Sequence, residues 1–212
     1  MTKLILIRHG ESVYNLEQRY TGQTDVELTE KGITQAKITA EYILKNYKID
    51  AVYSSDLVRA IETARPVADP LGLEIKTDPR LREIYAGKWQ GLLFSEVREV
   101  YKEDYERYKK DSVNSKTTGG EGMSDVLNRA YAAVLDIIAE NDGKTVLVST
   151  HNGPLMALQV PLLGIDISER KSLYNNSITE LDCDGESFTV IKLGYSEHLD
   201  GLLTGFKSTT HN

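Results

Sequence analysis

At 212 residues the chain can form one large α/β domain or two small ones, and one is expected, spanning 1–212. A net charge of −7 and a pI near 5.2 argue against general binding to nucleic acid or an anionic membrane, yet leave room for a small anion in a local basic pocket. The lone Cys183 excludes an intrachain disulfide and a Cys-rich metal site.

Leu4, Ile5, Leu6 and Ile7 form an unbroken apolar run, the pattern of a strand covered on both faces. The run ends abruptly in Arg8, His9 and Gly10, where open α/β sheets bind ligands. No leader-like pattern precedes it and no apolar stretch approaches the roughly 18 residues of a membrane span, so the cytoplasm is the expected location. Residues 11–25 are polar and turn-rich, a length that suits a functional loop. Thr29 then reads as an N-cap, followed by Ile33, Ala36, Ala40, Ile43, Leu44 and Tyr47 at helical spacing.

A second short strand over 49–53 leads into a helix over 57–68, with Arg59 in its first turn and an interruption expected at Pro66. A third strand is expected over 74–77 and a loop over 81–91 carrying Glu83. One amphipathic helix is expected over 95–108, with Tyr101, Tyr105 and Tyr108, then a mobile Gly-rich loop over 112–122. A helix over 123–140 precedes a buried strand over 145–148, which ends in Ser149, Thr150, His151, Asn152 and Gly153. The helix leaving it starts near Pro154 and is ended or kinked by Pro161. Asp184 and Gly185, between two strand-like runs, signal a hairpin; 195–212 carries no pattern. The whole reads as an α/β fold with a mostly parallel sheet and an antiparallel strand near an edge.

Three strand ends thus deliver two arginines and two histidines to one face. Such a set suits a phosphate or carboxylate, because the planar guanidinium meets paired oxygens. Singly, Arg8 reads as a strand-end ion pair and His9 as a satisfied core histidine; together with Arg59 and His151 they read as a site. There is no P-loop, GxGxxG, HExxH or GxSxG run, and no acids cluster near the histidines, so no metal is expected. Glu11 is expected to pair with a neighbouring cation, and Asn15 either to cap a turn or to serve the site. His198 and His211 read as surface residues and Cys183 as a small buried side chain.

Four ordered blocks resemble the histidine phosphatase superfamily, in its phosphoglycerate mutase-like branch. The first is Arg8, His9, Gly10 and Glu11 with Asn15. The second runs from Ser54 to Ala60 with Thr63 and Ala64, the third from Leu81 to Gly91, and the fourth from Ser149 to Gly153. The resemblance implies a three-layer α/β/α sandwich of phosphoglycerate mutase-like fold, with no cofactor. It implies that His9 is a nucleophile forming phosphohistidine, that Arg8, Arg59 and His151 hold the phosphoryl oxygens, and that Glu83 is the general acid and base. Asn15, Thr21, Gly22 and Asn152 would assist in substrate binding.

In the family's cofactor-dependent mutases the glutamate is followed by Arg and, two further on, Tyr; here Ile84 and Tyr85 follow Glu83. This favours a phosphatase acting on a small phosphorylated metabolite. The alternatives are a cofactor-dependent phosphoglycerate mutase, in which Lys88 or Lys116 replaces the missing arginine, and a module that only binds a phosphorylated ligand. Oligomeric state leaves no mark in the sequence.

Overall fold

The computed structural model describes residues 1–185 and 187–205, so His211 lies outside the described residues. The apolar run of the first strand, β1 (Thr2–Arg8), divides between two cores. Leu4 and Leu6 point to one face of the sheet, Ile5 and Ile7 to the other, and all four are essentially inaccessible to solvent. Burying such side chains on both faces contributes on the order of 1.5–3 kcal/mol each. A continuous hydrophobic run without alternation is the result.

The other strands are β2 (Ala51–Ser54), β3 (Ile75–Thr77), β4 (Thr145–Thr150), β5 (Ile178–Asp184) and β6 (Ser187–Tyr195). Their order is β3-β2-β4-β1-β5-β6. β1, β2, β3 and β4 are mutually parallel, and β5 pairs antiparallel with both β1 and β6. Helices α2 (Glu30–Asn46) and α3 (Val58–Leu71) cover one face, packing Ala40, Ile43, Ala64 and Val67 onto Ile5, Ile7, Val52 and Leu147. Helices α6 (Met123–Glu140) and α7 (Asn152–Leu163) cover the other, packing Ala130, Val134, Leu155 and Leu158 onto Leu4, Leu6, Val146 and Val148. This is the expected three-layer sandwich.

Helix ends follow local chemistry. Thr29 caps α2 by accepting the Gly32 N–H on its hydroxyl, as its position suggested. Gly72 and Gly164 end α3 and α7 in the left-handed conformation that glycine adopts without penalty.

Several local expectations are corrected. α3 continues through Pro66 and Pro70 to Leu71. A proline inside a helix costs about 3 kcal/mol, and the buried Ala60, Ala64, Val67 and Ala68 face offsets it. Pro161 likewise stays within α7, which begins at Asn152 rather than at Pro154, with His151 as its N-cap. The single helix expected over 95–108 is two, α4 (Phe94–Val100) and α5 (Lys102–Lys110), turning at Tyr101. The turn lets Tyr101, Tyr105 and Tyr108 gather on the buried Trp89. The Gly-rich segment 112–122 is tied down: the Asp104 carboxylate accepts the Thr118 N–H and hydroxyl at 2.9 and 2.7 Å. Inside the 11–25 loop a short helix, α1 (Val13–Leu16), is capped by Ser12. Glu11 accepts the Thr29 hydroxyl at 2.8 Å rather than meeting a cation. His198 is half-buried, stacked on Tyr195 and bonded to Thr39. No helix of the described residues is long and apolar enough to cross a membrane.

Candidate active site

Strand register builds the centre of the site. Arg8 of β1 pairs with Thr150 of β4, and the His9 N–H donates to the Thr150 carbonyl at 2.9 Å. The next residues along the two parallel strands, His9 and His151, are therefore neighbours, with ring centroids 5.0 Å apart. β2 ends alongside β4, Ser54 opposite Ser149, and its following helix carries Arg59 inward. Three strand ends thus bring Arg8, His9, Arg59 and His151 together, each no more than 3% exposed.

Each of these side chains is held from behind. His9 Nδ1 lies 2.7 Å from the Gly10 carbonyl oxygen. A carbonyl only accepts, so Nδ1 carries the proton and Nε2 keeps its lone pair. The Gly10 N–H donates to Thr63 Oγ1 at 3.0 Å, and Thr63 in turn donates to the Arg59 carbonyl. Gly10 sits against the Gly32 backbone, with only 2.6 Å between a would-be Cβ and the Gly32 carbonyl oxygen, so no larger residue fits there. Arg59 donates from its two terminal nitrogens to the carbonyls of Gly22 and Thr24, at 2.8 Å each. That pins the 11–25 loop and leaves Nε buried without a partner. Arg8 donates to the Leu173 carbonyl, and its Nε is likewise unpartnered. Both ring nitrogens of His151 are buried without a partner.

Unpaired, desolvated donors of this kind are costly unless something anionic meets them. Burial, then the Arg59 and Arg8 charges, hold His9 well below the usual histidine range. His151 is displaced the same way, by burial first and then by Arg59. Burial draws Arg8 and Arg59 down to about 10, so both stay charged at neutral pH. The centre is two neutral imidazoles between two fixed cations. The start of α7 at Asn152 adds the positive end of a helix dipole.

Glu83 approaches from the loop after β3. Its Oε1 accepts the N–H groups of Ile84 and Gly153, each at 2.8 Å. A cleft of about 320 Å³ meets the centre at Arg8 and is lined also by Asn15, Thr21, Gly22, Glu83, Asn152 and Gly153, while His9, Arg59 and His151 lie behind its wall. Asn15 completes the cap of α1, and its side chain also lines the cleft. Asn152 accepts the Leu173 N–H and the Ser172 hydroxyl on its side chain, so it also shapes the cleft wall.

A family model, the histidine phosphatase superfamily (branch 1), matches residues 4–196. The chain belongs to the histidine phosphatase superfamily. As a member it is a histidine-type phosphomonoesterase, and its sheet and helices are those of the phosphoglycerate mutase-like fold. It is 36% identical over 193 residues to phosphoserine phosphatase 1 of Hydrogenobacter thermophilus, covering 91% of this chain and 87% of that one. It is 34% identical over 209 residues to phosphoglycerate mutase-like protein 4 of Arabidopsis thaliana, covering 96% and 89%. The solved structure of Bacillus stearothermophilus YhfR superposes with a TM-score of 0.89 at 32% identity, covering 94% of this chain and all of that one.

Three supporting residues of this phosphatase escaped the sequence reading. Asn175 donates from Nδ2 to the carbonyls of His9 and Gly10, at 2.8 and 3.2 Å, just behind the imidazole. Arg129 of α6 donates to the carbonyls of Arg80, Arg82 and Glu83. Arg170 lines the cleft. Asn175 had only a weak signal, an Asn-Asn-Ser run before a strand, and Arg129 lay on what reads as the polar side of an amphipathic helix.

Proposed function

We propose that this phosphatase hydrolyses a small phosphomonoester in two steps through a phosphohistidine on His9. The observation that carries the proposal is the 2.7 Å contact between His9 Nδ1 and the Gly10 carbonyl, in a cluster with Arg8, Arg59 and His151. It leaves Nε2 with its lone pair and surrounds it with positive charge. Nε2 forms a bond to phosphorus while the ester P–O bond breaks. Arg8, Arg59 and one N–H of His151 meet the equatorial oxygens, where charge spreads in the transition state. Glu83 passes its proton to the departing alkoxide. Water then attacks phosphorus, Glu83 takes its proton, the N–P bond breaks and phosphate leaves. Atoms and charge return to the start.

The cleft's volume suits a small metabolite. The names of the two relatives, a phosphoserine phosphatase and a phosphoglycerate mutase-like protein, fit such a substrate. The mutase alternative, as the sequence suggested it, puts Lys88 or Lys116 in place of the arginine missing after Glu83. Ile84 instead packs with Met123, Val126 and Ala157, and Lys116 pairs with Asp125. Neither Lys88 nor Lys116 lines the cleft. Neither lysine takes that arginine's place, and water as the final acceptor accords with the phosphoserine phosphatase among the relatives.

Phosphate release from p-nitrophenyl phosphate, together with an acid-labile phosphoenzyme trapped by rapid quench, tests the reading. Both are expected in the wild type and lost in His9→Ala. Interconversion of 2- and 3-phosphoglycerate, stimulated by 2,3-bisphosphoglycerate, would favour the mutase instead.

A further inference from the structure

Away from the imidazole centre the cleft is mostly apolar, walled by Ile84, Phe94, Tyr108, Met123 and Met156. Besides Arg8, two cations line it. Arg19 is spoken for: it pairs with Glu17 at 2.6 Å and donates to the Gly91 carbonyl at 2.8 Å. Arg170 is not. It donates to the Ile167 carbonyl at 2.5 Å and to Ser112 Oγ at 3.1 Å, and its Nε is buried without a partner. Among the described residues no carboxylate pairs with it. Two hydrogen bonds from a side chain with five N–H groups leave three unused. A half-buried guanidinium aimed by fixed acceptors, with no counter-charge and unused donors, is arranged for an anion that arrives with the ligand.

We propose that Arg170 binds a carboxylate of the substrate, so that the preferred ester is the phosphate of a hydroxy acid or hydroxy amino acid. A carboxylate fits better than a second phosphate. Its planar pair of oxygens matches one guanidinium fork and its single charge matches one cation. A phosphate dianion would leave charge unbalanced against apolar walls. Arg170 reaches the cleft from the chain after α7, far in sequence from position 84. The sequence block that lacks an arginine after Glu83 therefore does not leave the site without a carboxylate-binding cation.

The proposal deepens the phosphomonoesterase reading and relies on it for turnover, though not for binding. The test compares O-phosphoserine with O-phosphoethanolamine, the same ester without the carboxylate. The wild type is expected to favour phosphoserine in kcat/KM by about 10- to 100-fold, mostly through KM, the range of one charge-assisted contact. Arg170→Gln should bring that ratio close to one. Arg170→Lys, which keeps the charge but loses the fork, should fall between, and it carries the comparison should Arg170→Gln not fold. A wild-type ratio near one, an equal loss on both esters in the variants, or preference for glycerol bisphosphate over both esters would overturn the assignment. Failure of both esters and of p-nitrophenyl phosphate to turn over would refute the hydrolase reading alone. Calorimetric titration of the same two compounds would then decide on Arg170, with the same ratio expected in Kd and equal affinities overturning it.

Discussion

Glu83 Oε1 accepts the Gly153 N–H at 2.8 Å, and a Cβ added to Gly153 would lie 2.2 Å from that oxygen. The carboxylate sits against the first turn of α7 only because the residue there has no side chain. Gly153→Ala should therefore push Glu83 out of place without touching His9. The expected result is a fall in kcat of about 100-fold, the scale of misplacing a reacting group by an ångström or so, with a folded circular dichroism spectrum. Steady-state kinetics within twofold of wild type would mean that the contact does not position the acid.

Glu83→Gln keeps the shape and removes the proton traffic. Loss of a general acid and base costs about 10²- to 10⁴-fold, and the loss should be largest for alkyl esters, whose alkoxide needs a proton. With p-nitrophenyl phosphate the leaving group departs without help, so phosphorylation of His9 should survive and its hydrolysis should stall. Stopped-flow traces should show a p-nitrophenol burst equal to the enzyme concentration. The acid limbs of the wild-type and variant pH–rate profiles should differ; superimposable profiles would remove Glu83 from the mechanism.

The parts of the site that could be read from the sequence are those set by strand ends. The apolar runs before Arg8 and His151 had to be central parallel strands, and parallel register alone then makes His9 and His151 neighbours. Arg59 followed from its place in the first turn of the next helix. What stayed hidden depends on tertiary closure. Arg170 reaches the cleft, and Asn175 the back of the centre, from chain after α7 whose local pattern is ordinary polar loop. The break at Tyr101 was equally invisible, because helical periodicity runs through it and only packing on Trp89 demands the turn. Pro66 misled for the opposite reason: a strong local rule lost to the burial of a helix face.

The two central histidines make stability depend on pH in a defined window. Burial and the neighbouring arginines lower both from the ordinary value. The unfolded chain protonates them near pH 6.5, whereas the folded chain does not until lower pH. Below about 6.5 the unfolded state thus binds more protons, and stability falls as pH falls; above it the contribution is complete. Two protons give a slope of at most about 2.7 kcal/mol per pH unit. Urea melts between pH 8 and 5 should be flat above neutrality and steepen below it, and His151→Gln should remove one histidine's share of the added slope, to which His198, also lowered by burial, contributes as well. Stability unchanged from pH 7 to 5 would contradict the buried, neutral state of these rings.

Arg129 should matter to catalysis while touching no reacting atom. Its guanidinium holds the carbonyls of Arg80, Arg82 and Glu83 at 2.6–2.9 Å, and its own charge is balanced by Glu121 at 2.9 Å. Arg129→Met keeps much of the aliphatic bulk and strips three hydrogen bonds from one loop. Leaving those carbonyls poorly satisfied should destabilise the fold by about 2–4 kcal/mol. The loop is the one that carries Glu83, so the kinetic signature should be that of a misplaced acid. kcat on an alkyl ester should fall, KM should change little, and the p-nitrophenol burst should be retained. His9 and the arginine pair lie on other elements and should still form the phosphoenzyme. Loss of the burst in a folded Arg129→Met protein would show that the clamp serves the nucleophile instead, through the charge it places near His151.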